Sequence, residues 1–209
     1  MPGQVSTAVP IPPGIGSSEA AAAGLNGDSI RTSNTLALSG SISYNGDLRA
    51  LQFHGQGEMK WGNGGRYVGE FCDGQMRGRG VYYWGGDMAG QVYEGQFDAC
   101  RMHGHGQLTL RNGASFTGEW QRGRAHGQGV FVNKAETYRG AFENGARHGQ
   151  GLLQLASGDV YEGEFAMGKI EGNGSFVWKS DGSKYTSRPF HQCIFVTSWA
   201  GSSGAGGTV

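Results

Sequence analysis

Through the middle of this 209-residue chain, a glycine stands between two aromatic residues, each two positions away, and polar or charged residues fill the gaps. Tyr67-Val-Gly-Glu-Phe71, Tyr93-Glu-Gly-Gln-Phe97, Phe116-Thr-Gly-Glu-Trp120 and Tyr161-Glu-Gly-Glu-Phe165 show the pattern. Side chains in a strand alternate between faces, so Tyr67, Gly69 and Phe71 fall on one face and Val68 and Glu70 on the other. A turn follows at Asp73-Gly74 or Asn144-Gly145, with Gly123 and Gly168 in matching places, where glycine supplies the positive φ of a short hairpin loop. A second strand then starts at a His-Gly-x-Gly segment, with apolar residues two and four past its last glycine. Those pairs are Met59 with Trp61, Tyr82 with Trp84, Leu108 with Leu110, Leu153 with Leu155, and Phe176 with Trp178; the fourth copy offers Phe131 but has Asn133. A further turn signal, Asn63-Gly64, Asn112-Gly113, Ser157-Gly158 or Asp181-Gly182, leads to the next unit.

The unit recurs six times, starting at Tyr44, Tyr67, Tyr93, Phe116, Tyr138 and Tyr161, a fixed step near 23 residues that marks a repeat array. The pattern predicts an all-β fold, an elongated single-layer antiparallel meander of six β-hairpins and about twelve strands, running roughly 55–60 Å at ~4.8 Å per strand. The repeats span 44–66, 67–92, 93–115, 116–137, 138–160 and 161–184. Glycine set beside aromatic rings reads as a socket into which a ring can lie, offsetting its usual weakness in strands. Outside 44–184, residues 1–36 are rich in Pro, Ala, Ser and Gly and read as a disordered arm. Residues 37–43 read as a lead-in strand, 185–199 as a capping or docking segment in which Pro189 argues against a central strand, and 200–209 as a flexible tail.

Composition narrows the function classes. Glycine reaches 41 residues, but its regular spacing argues against both collagen and disorder in the array. Seventeen basic residues balance seventeen acidic ones, so no net field recruits nucleic acid or anionic lipid. Cys72, Cys100 and Cys193 form an odd set without CxxC spacing, and the N-terminus has no secretory pattern, so a cytoplasmic home is expected. No apolar run is long enough for a membrane-spanning helix, and no lipidation signal is legible.

Phe116-Thr-Gly-Glu-Trp-Gln-Arg-Gly-Arg-Ala-His-Gly-Gln-Gly129 and Tyr161-Glu-Gly-Glu-Phe165 resemble the MORN repeat (membrane occupation and recognition nexus), whose motif is close to YxGEWxxGxxHGxG; the resemblance covers roughly 140 residues. Departures are local. Leu51 and Ala99 stand for the turn glycine, Arg77 and Glu171 for the histidine, and Gln96 and Ala141 for the acid; the second unit gains three residues around Gly85 to Gly90. The resemblance implies a scaffold role, since similar arrays occur in cytoskeletal and ciliary assemblies, radial spoke heads among them, and in membrane-junction proteins. Similar arrays also accompany lipid kinases and a lysine methyltransferase, but the segments flanking the array here are too short for such a domain, and no enzyme activity is expected.

Candidate chemistry is sparse. His54, His103, His126 and His148 recur at one repeat position, about two strand spacings (~9.5 Å) or more apart, too far for neighbours to share a zinc ion, and read as turn residues. The pairs His103 with His105 and His191 with Cys193 lack further ligands, so neither a metal site nor a cofactor is expected. Gly163 to Lys169 mimics a phosphate-binding loop but has Ile170 where a hydroxyl should hold magnesium, and Asn173-Gly-Ser175 is a glycosylation sequon only on paper. The acids Asp47, Glu70, Glu119 and Glu164 form a repeated row, read as solvated or turn-bracing, and a single sheet offers no converging catalytic group.

Three surfaces remain as candidates for binding. Arg77, Arg101, Arg124, Arg147 and Lys169 each follow a hairpin turn and would form a basic edge, suited to acidic protein segments or phosphoinositide headgroups; a solvated, protected hairpin edge is the plainer reading. Trp61, Trp84, Trp120 and Trp178 mark an aromatic face that a one-layer sheet must curl over, pair with another copy in a homodimer, or offer to a partner segment. Phe190, Ile194, Phe195 and Trp199 mark the docking segment. The expected function is a non-enzymatic scaffold binding other proteins in a eukaryotic cytoskeletal assembly, most specifically a ciliary or flagellar axoneme. The alternative is a peripheral membrane module that contacts anionic phospholipid through the basic edge.

Overall fold

The computed structural model describes residues 35–38, 41–50 and 52–190. They form one antiparallel sheet of fourteen strands, each hydrogen-bonded to the strands before and after it in sequence. A short strand β1 (Thr35–Leu38) precedes six hairpins: β2 (Ile42–Arg49) with β3 (Gln52–Lys60), β4 (Arg66–Cys72) with β5 (Gln75–Tyr83), and β6 (Val92–Asp98) with β7 (Arg101–Thr109). Then come β8 (Ser115–Gln121) with β9 (Arg124–Val132), β10 (Glu136–Glu143) with β11 (Ala146–Leu155), and β12 (Val160–Ala166) with β13 (Lys169–Val177), and finally β14 (Lys184–Phe190). The expected meander is correct. Its count rises from twelve to fourteen because a strand flanks the hairpins at each end, where the backbone of β2 and of β13 would otherwise lack a pairing partner.

Both flanks shift the predicted boundaries. The lead-in strand is Thr35–Leu38 rather than 37–43, because the chain turns at Ser41 with φ of 60° and β2 already begins at Ile42. At the other end, β14 takes the start of the predicted capping segment and carries Pro189 at an irregular point of the register, as an outer strand tolerates. The arm at 1–34, the rest of the docking segment with Ile194, Phe195 and Trp199, and the tail lie outside the described residues.

Each of the last five hairpins closes with two residues of positive φ, as in Asp73 (49°) and Gly74 (80°) or Asn144 (51°) and Gly145 (88°), the geometry that matches strand twist. The third hairpin corrects the sequence alignment: Cys100, with φ of 61°, stands in the glycine's place, and Ala99 takes the position before it. The second turn residue also ties each repeat to the one before. Gly74 N–H donates to Phe53 O at 2.9 Å, Cys100 N–H to Met76 O at 3.0 Å, and Gly123 N–H to Met102 O at 2.8 Å. The three extra residues of the second unit are absorbed in a 3₁₀ turn at Gly86–Met88, pinned by Gly86 N–H donating to Asn63 O at 2.8 Å.

The core lies on one face of the sheet. Tyr44, Tyr67, Tyr93, Tyr138 and Tyr161 are almost fully buried. Tyr44 has Leu48 four positions on and meets Phe53; from the second repeat on, each ring meets the aromatic residue at that place, edge to face: Tyr67 with Phe71 at 5.1 Å and Phe116 with Trp120 at 5.1 Å. It also meets the corresponding ring of the next repeat, as Tyr67 does Phe97 at 5.1 Å and Tyr138 does Phe165 at 4.9 Å. The result is an unbroken zigzag of rings, each contact contributing about 0.5–1.5 kcal/mol beyond burial. Repeats therefore hold one another through nearest neighbours.

Candidate functional site

The repeated motif builds one local device six times. In the second repeat, Gly69 faces Gly80 across β4 and β5, and the ring of Tyr67 lies over that pair. A methyl group at Gly80 would stand 2.5 Å from Tyr67 Cε2, so the socket closes on the ring of its own repeat. The Tyr67 hydroxyl then donates to Glu70 O at 3.0 Å; Tyr44, Tyr93, Tyr138 and Tyr161 make the same bond to the residue three further on. Phe116 fills the socket without a hydroxyl.

Past the glycine pair the register slips. Gly69 opposes Gly80 but Phe71 opposes Met76, so three residues of β5 lie across from Glu70 alone. Gly78, the first glycine of the His-Gly-x-Gly segment, takes φ of 69° in this bulge, and Gly55, Gly104, Gly127, Gly149 and Gly172 do likewise. The acid row braces it. Asp47 accepts from Gln56 N–H at 3.1 Å, Glu70 from Arg79 N–H at 3.1 Å, Glu119 from Gln128 N–H at 2.9 Å and Glu164 from Asn173 N–H at 3.3 Å. Gln96 does the same with its amide oxygen, accepting from His105 N–H at 2.8 Å, so a neutral acceptor takes the place of the carboxylate. Ala141 leaves the fifth bulge unbraced by a side chain.

The histidines sit one residue before the bulge glycine, inside β3, β7, β9 and β11, and are not turn residues as expected from sequence. There they face the next hairpin's turn or their own. His54 Nδ1 lies 3.7 Å from Asp73 Oδ1 and His148 Nε2 lies 3.3 Å from Glu143 Oε2; Arg77, in the histidine's place, reaches Asp98 at 3.5 Å. His54 Nδ1 is buried and accepts no hydrogen bond. Among the described residues, only His54, Cys72 and Asp73 bring three ligand-type atoms within 4.8 Å of one another. Sequence reasoning missed this group because its partners come from the neighbouring hairpin.

The five basic residues do not make one row. Arg101, Arg124 and Lys169 share a register position and are exposed. Arg77 stands in the histidine row. Arg147 pairs with Phe142 and so faces the aromatic side, in the slot that Met76, Met102 and Ala125 fill elsewhere. Its guanidinium lies 4.9 Å from the Tyr138 ring centre and 5.9 Å from that of Phe131, and both its terminal nitrogens reach the Glu136 carboxylate.

Most of the tryptophan area is already spent. Trp120 is buried in the ring zigzag, its Nε1 donating to Gly106 O at 3.1 Å, and Trp84 is buried against Tyr82, while Trp61 and Trp178 are half-buried against Tyr82 and Phe176. On the opposite face two shallow, open depressions appear. One is bordered by Glu94, His105, Gln107 and Thr117, the other by Gln150, Glu162, Asn173 and Lys184.

An open meander of similar hairpins, with its aromatic side packed upon itself and polar side chains repeated along the other, defines a solenoid-like repeat protein. The MORN repeat matches at residues 44–66, 67–86, 93–115, 116–133, 138–160 and 161–183, and the chain belongs to the MORN-repeat family. No curated protein matches the chain closely enough to serve as a relative. The repeats give it the role of a scaffold for protein or membrane binding, the modules of this family being generally non-enzymatic.

Proposed function

We propose that the chain is a non-enzymatic scaffold that holds other proteins along its array within a cytoskeletal assembly, an axonemal one being the most specific version. The observation that carries the protein-binding reading is the division of labour between the faces. Rings and glycines satisfy the aromatic side internally, whereas the other side presents the same polar positions once per repeat, roughly every 9.5 Å. Exposed Tyr83, Val132 and Leu152 add apolar footholds at strand positions there. A segment laid across such a face meets a regular series of hydrogen-bonding groups and needs no deep cavity. The cytoskeletal setting comes from the family resemblance. Proximity labelling with the full chain as bait in ciliated cells should enrich axonemal or cytoskeletal proteins; labelling confined to bulk cytosolic proteins overturns this reading.

The membrane reading has less support. It relied on five basic groups in line, and with Arg147 turned to the rings and Arg77 beside Asp98, three remain in one register. Vesicles containing phosphatidylserine should therefore fail to sediment the chain at physiological salt.

A further inference from the structure

We propose that His54, Cys72 and Asp73 form a site for a zinc-type divalent cation, clamping the first repeat to the second. His54 lies in β3, Cys72 ends β4, and Asp73 begins the β4–β5 turn, so the three meet where two neighbouring hairpins touch. Their geometry is close to that of a ligand set. His54 Nδ1 is 3.7 Å from Asp73 Oδ1, and Cys72 Sγ is 3.6 Å from Asp73 Oδ2. With bonds of about 2.0–2.3 Å, ligand atoms in a tetrahedral zinc site stand roughly 3.3–3.8 Å apart, so the widest separation here, within 4.8 Å, must contract by about 1 Å.

Three further facts favour a cation. His54 Nδ1 is screened from water and has no hydrogen-bond partner, although it lies within reach of the other two groups. An imidazole, a thiol and a carboxylate together suit zinc or cobalt, whereas magnesium and calcium prefer all-oxygen sets. The group is also peculiar to this junction. At the same place in later repeats Arg77 faces Asp98, His103 faces Gln121 and Arg122, His126 faces Glu143 and Asn144, and His148 faces Ala166 and Met167. A basic residue facing an acid recurs at Arg77 with Asp98 and by register at His126 with Glu143, but only at the first junction does a cysteine join the pair.

Binding converts the Cys72 thiol to thiolate, its proton leaving to solvent, and takes His54 as neutral imidazole beside the Asp73 carboxylate. Three protein ligands leave one tetrahedral position for water or an external donor.

The test uses the reduced, chelator-treated full chain titrated with Zn²⁺ by calorimetry and with Co²⁺ by absorbance. The expected result is one ion per chain with a dissociation constant on the order of micromolar or tighter, a sulfur-to-cobalt charge-transfer band, and a higher melting temperature with zinc. Cys72→Ser removes the band, and His54→Ala weakens zinc binding at least about tenfold. Asp73→Asn weakens it while preserving the turn, since Asn144 holds the equivalent position in the fifth hairpin. Cys193→Ser changes nothing. The proposal is overturned if neither ion binds, or if the band survives Cys72→Ser and is lost with Cys193→Ser; circular dichroism confirms that each variant scored is folded.

Discussion

Gly80→Ala is the substitution that tests the ring socket most directly. The backbone at Gly80 is extended, so alanine carries no conformational penalty there, and any loss must come from the methyl group meeting Tyr67. That methyl would run into the hydroxyl oxygen and stand 2.5 Å from Cε2 and Cζ. Carbon atoms rest at about 3.5–4.0 Å, so the ring must retreat by about 1 Å or more. It has little room, being fully buried and wedged at 5.1 Å between Phe71 and Phe97, and retreat breaks its 3.0 Å bond to Glu70 O. Overpacking costs about 1–3 kcal/mol and the hydrogen bond about 1 kcal/mol, giving a loss of roughly 2–4 kcal/mol. Gly113→Ala is the contrasting control, with φ of 84° and open space around it, where the left-handed backbone alone costs about 1–2 kcal/mol. Urea unfolding of the full chain, followed by circular dichroism and tryptophan fluorescence, measures both. Adding Tyr67→Leu to Gly80→Ala should recover part of the loss, with a coupling of at least about 1 kcal/mol. If Gly80→Ala costs no more than Gly113→Ala, or if the Gly80 and Tyr67 effects simply add, the ring does not depend on the glycine and the socket account fails.

Two other tests follow from the same device. Phe116→Tyr should stabilise the chain by about 0.5–1.5 kcal/mol in urea titration, because it supplies the hydroxyl that the other five repeats direct at the carbonyl three residues on, here that of Glu119; an unchanged midpoint would mean that carbonyl is already satisfied. Alkaline unfolding should be steep above pH 10, since burial pushes the Tyr44, Tyr82 and Tyr138 phenols up to about 12 and raises Tyr67 and Tyr93 as well. The folded chain keeps these protons longer than the unfolded one, so their contribution is complete below pH 10 and falls between 10 and 12 by about 1.4 kcal/mol per pH unit for each phenol. Tyrosinate absorbance and loss of far-ultraviolet ellipticity should rise together; gradual ionisation without unfolding would contradict the burial.

The sheet was legible because its two governing signals are local: alternation fixes which side chains share a face, and paired turn residues fix where each hairpin closes. The fourteen residues from Tyr67 to Gly80 are enough to read Tyr67, Gly69 and Gly80 as one contact. The two outer strands carry no copy of the motif; the alternation predicts the lead-in strand a few residues late, whereas β14 pairs with β13 because that backbone needs a partner, a demand the side-chain pattern does not record. The basic edge failed for a different reason. Counting forward from each turn places Arg77, Arg101 and Arg147 together, but the bulge glycines Gly78, Gly104 and Gly149 lie one, three and two residues beyond them. In a strand an offset of one reverses the face, so Arg147 turns onto the rings while Arg101 stays in water. Aligning the repeats on the bulge glycine rather than on the turn would have separated these residues, and it also brings out the metal cluster. Once Gly55 is set opposite Phe71, the residue before it, His54, must meet the residue after Phe71, which is Cys72. Register between neighbouring repeats, more than the content of any single repeat, therefore decides which side chains in this array can act together.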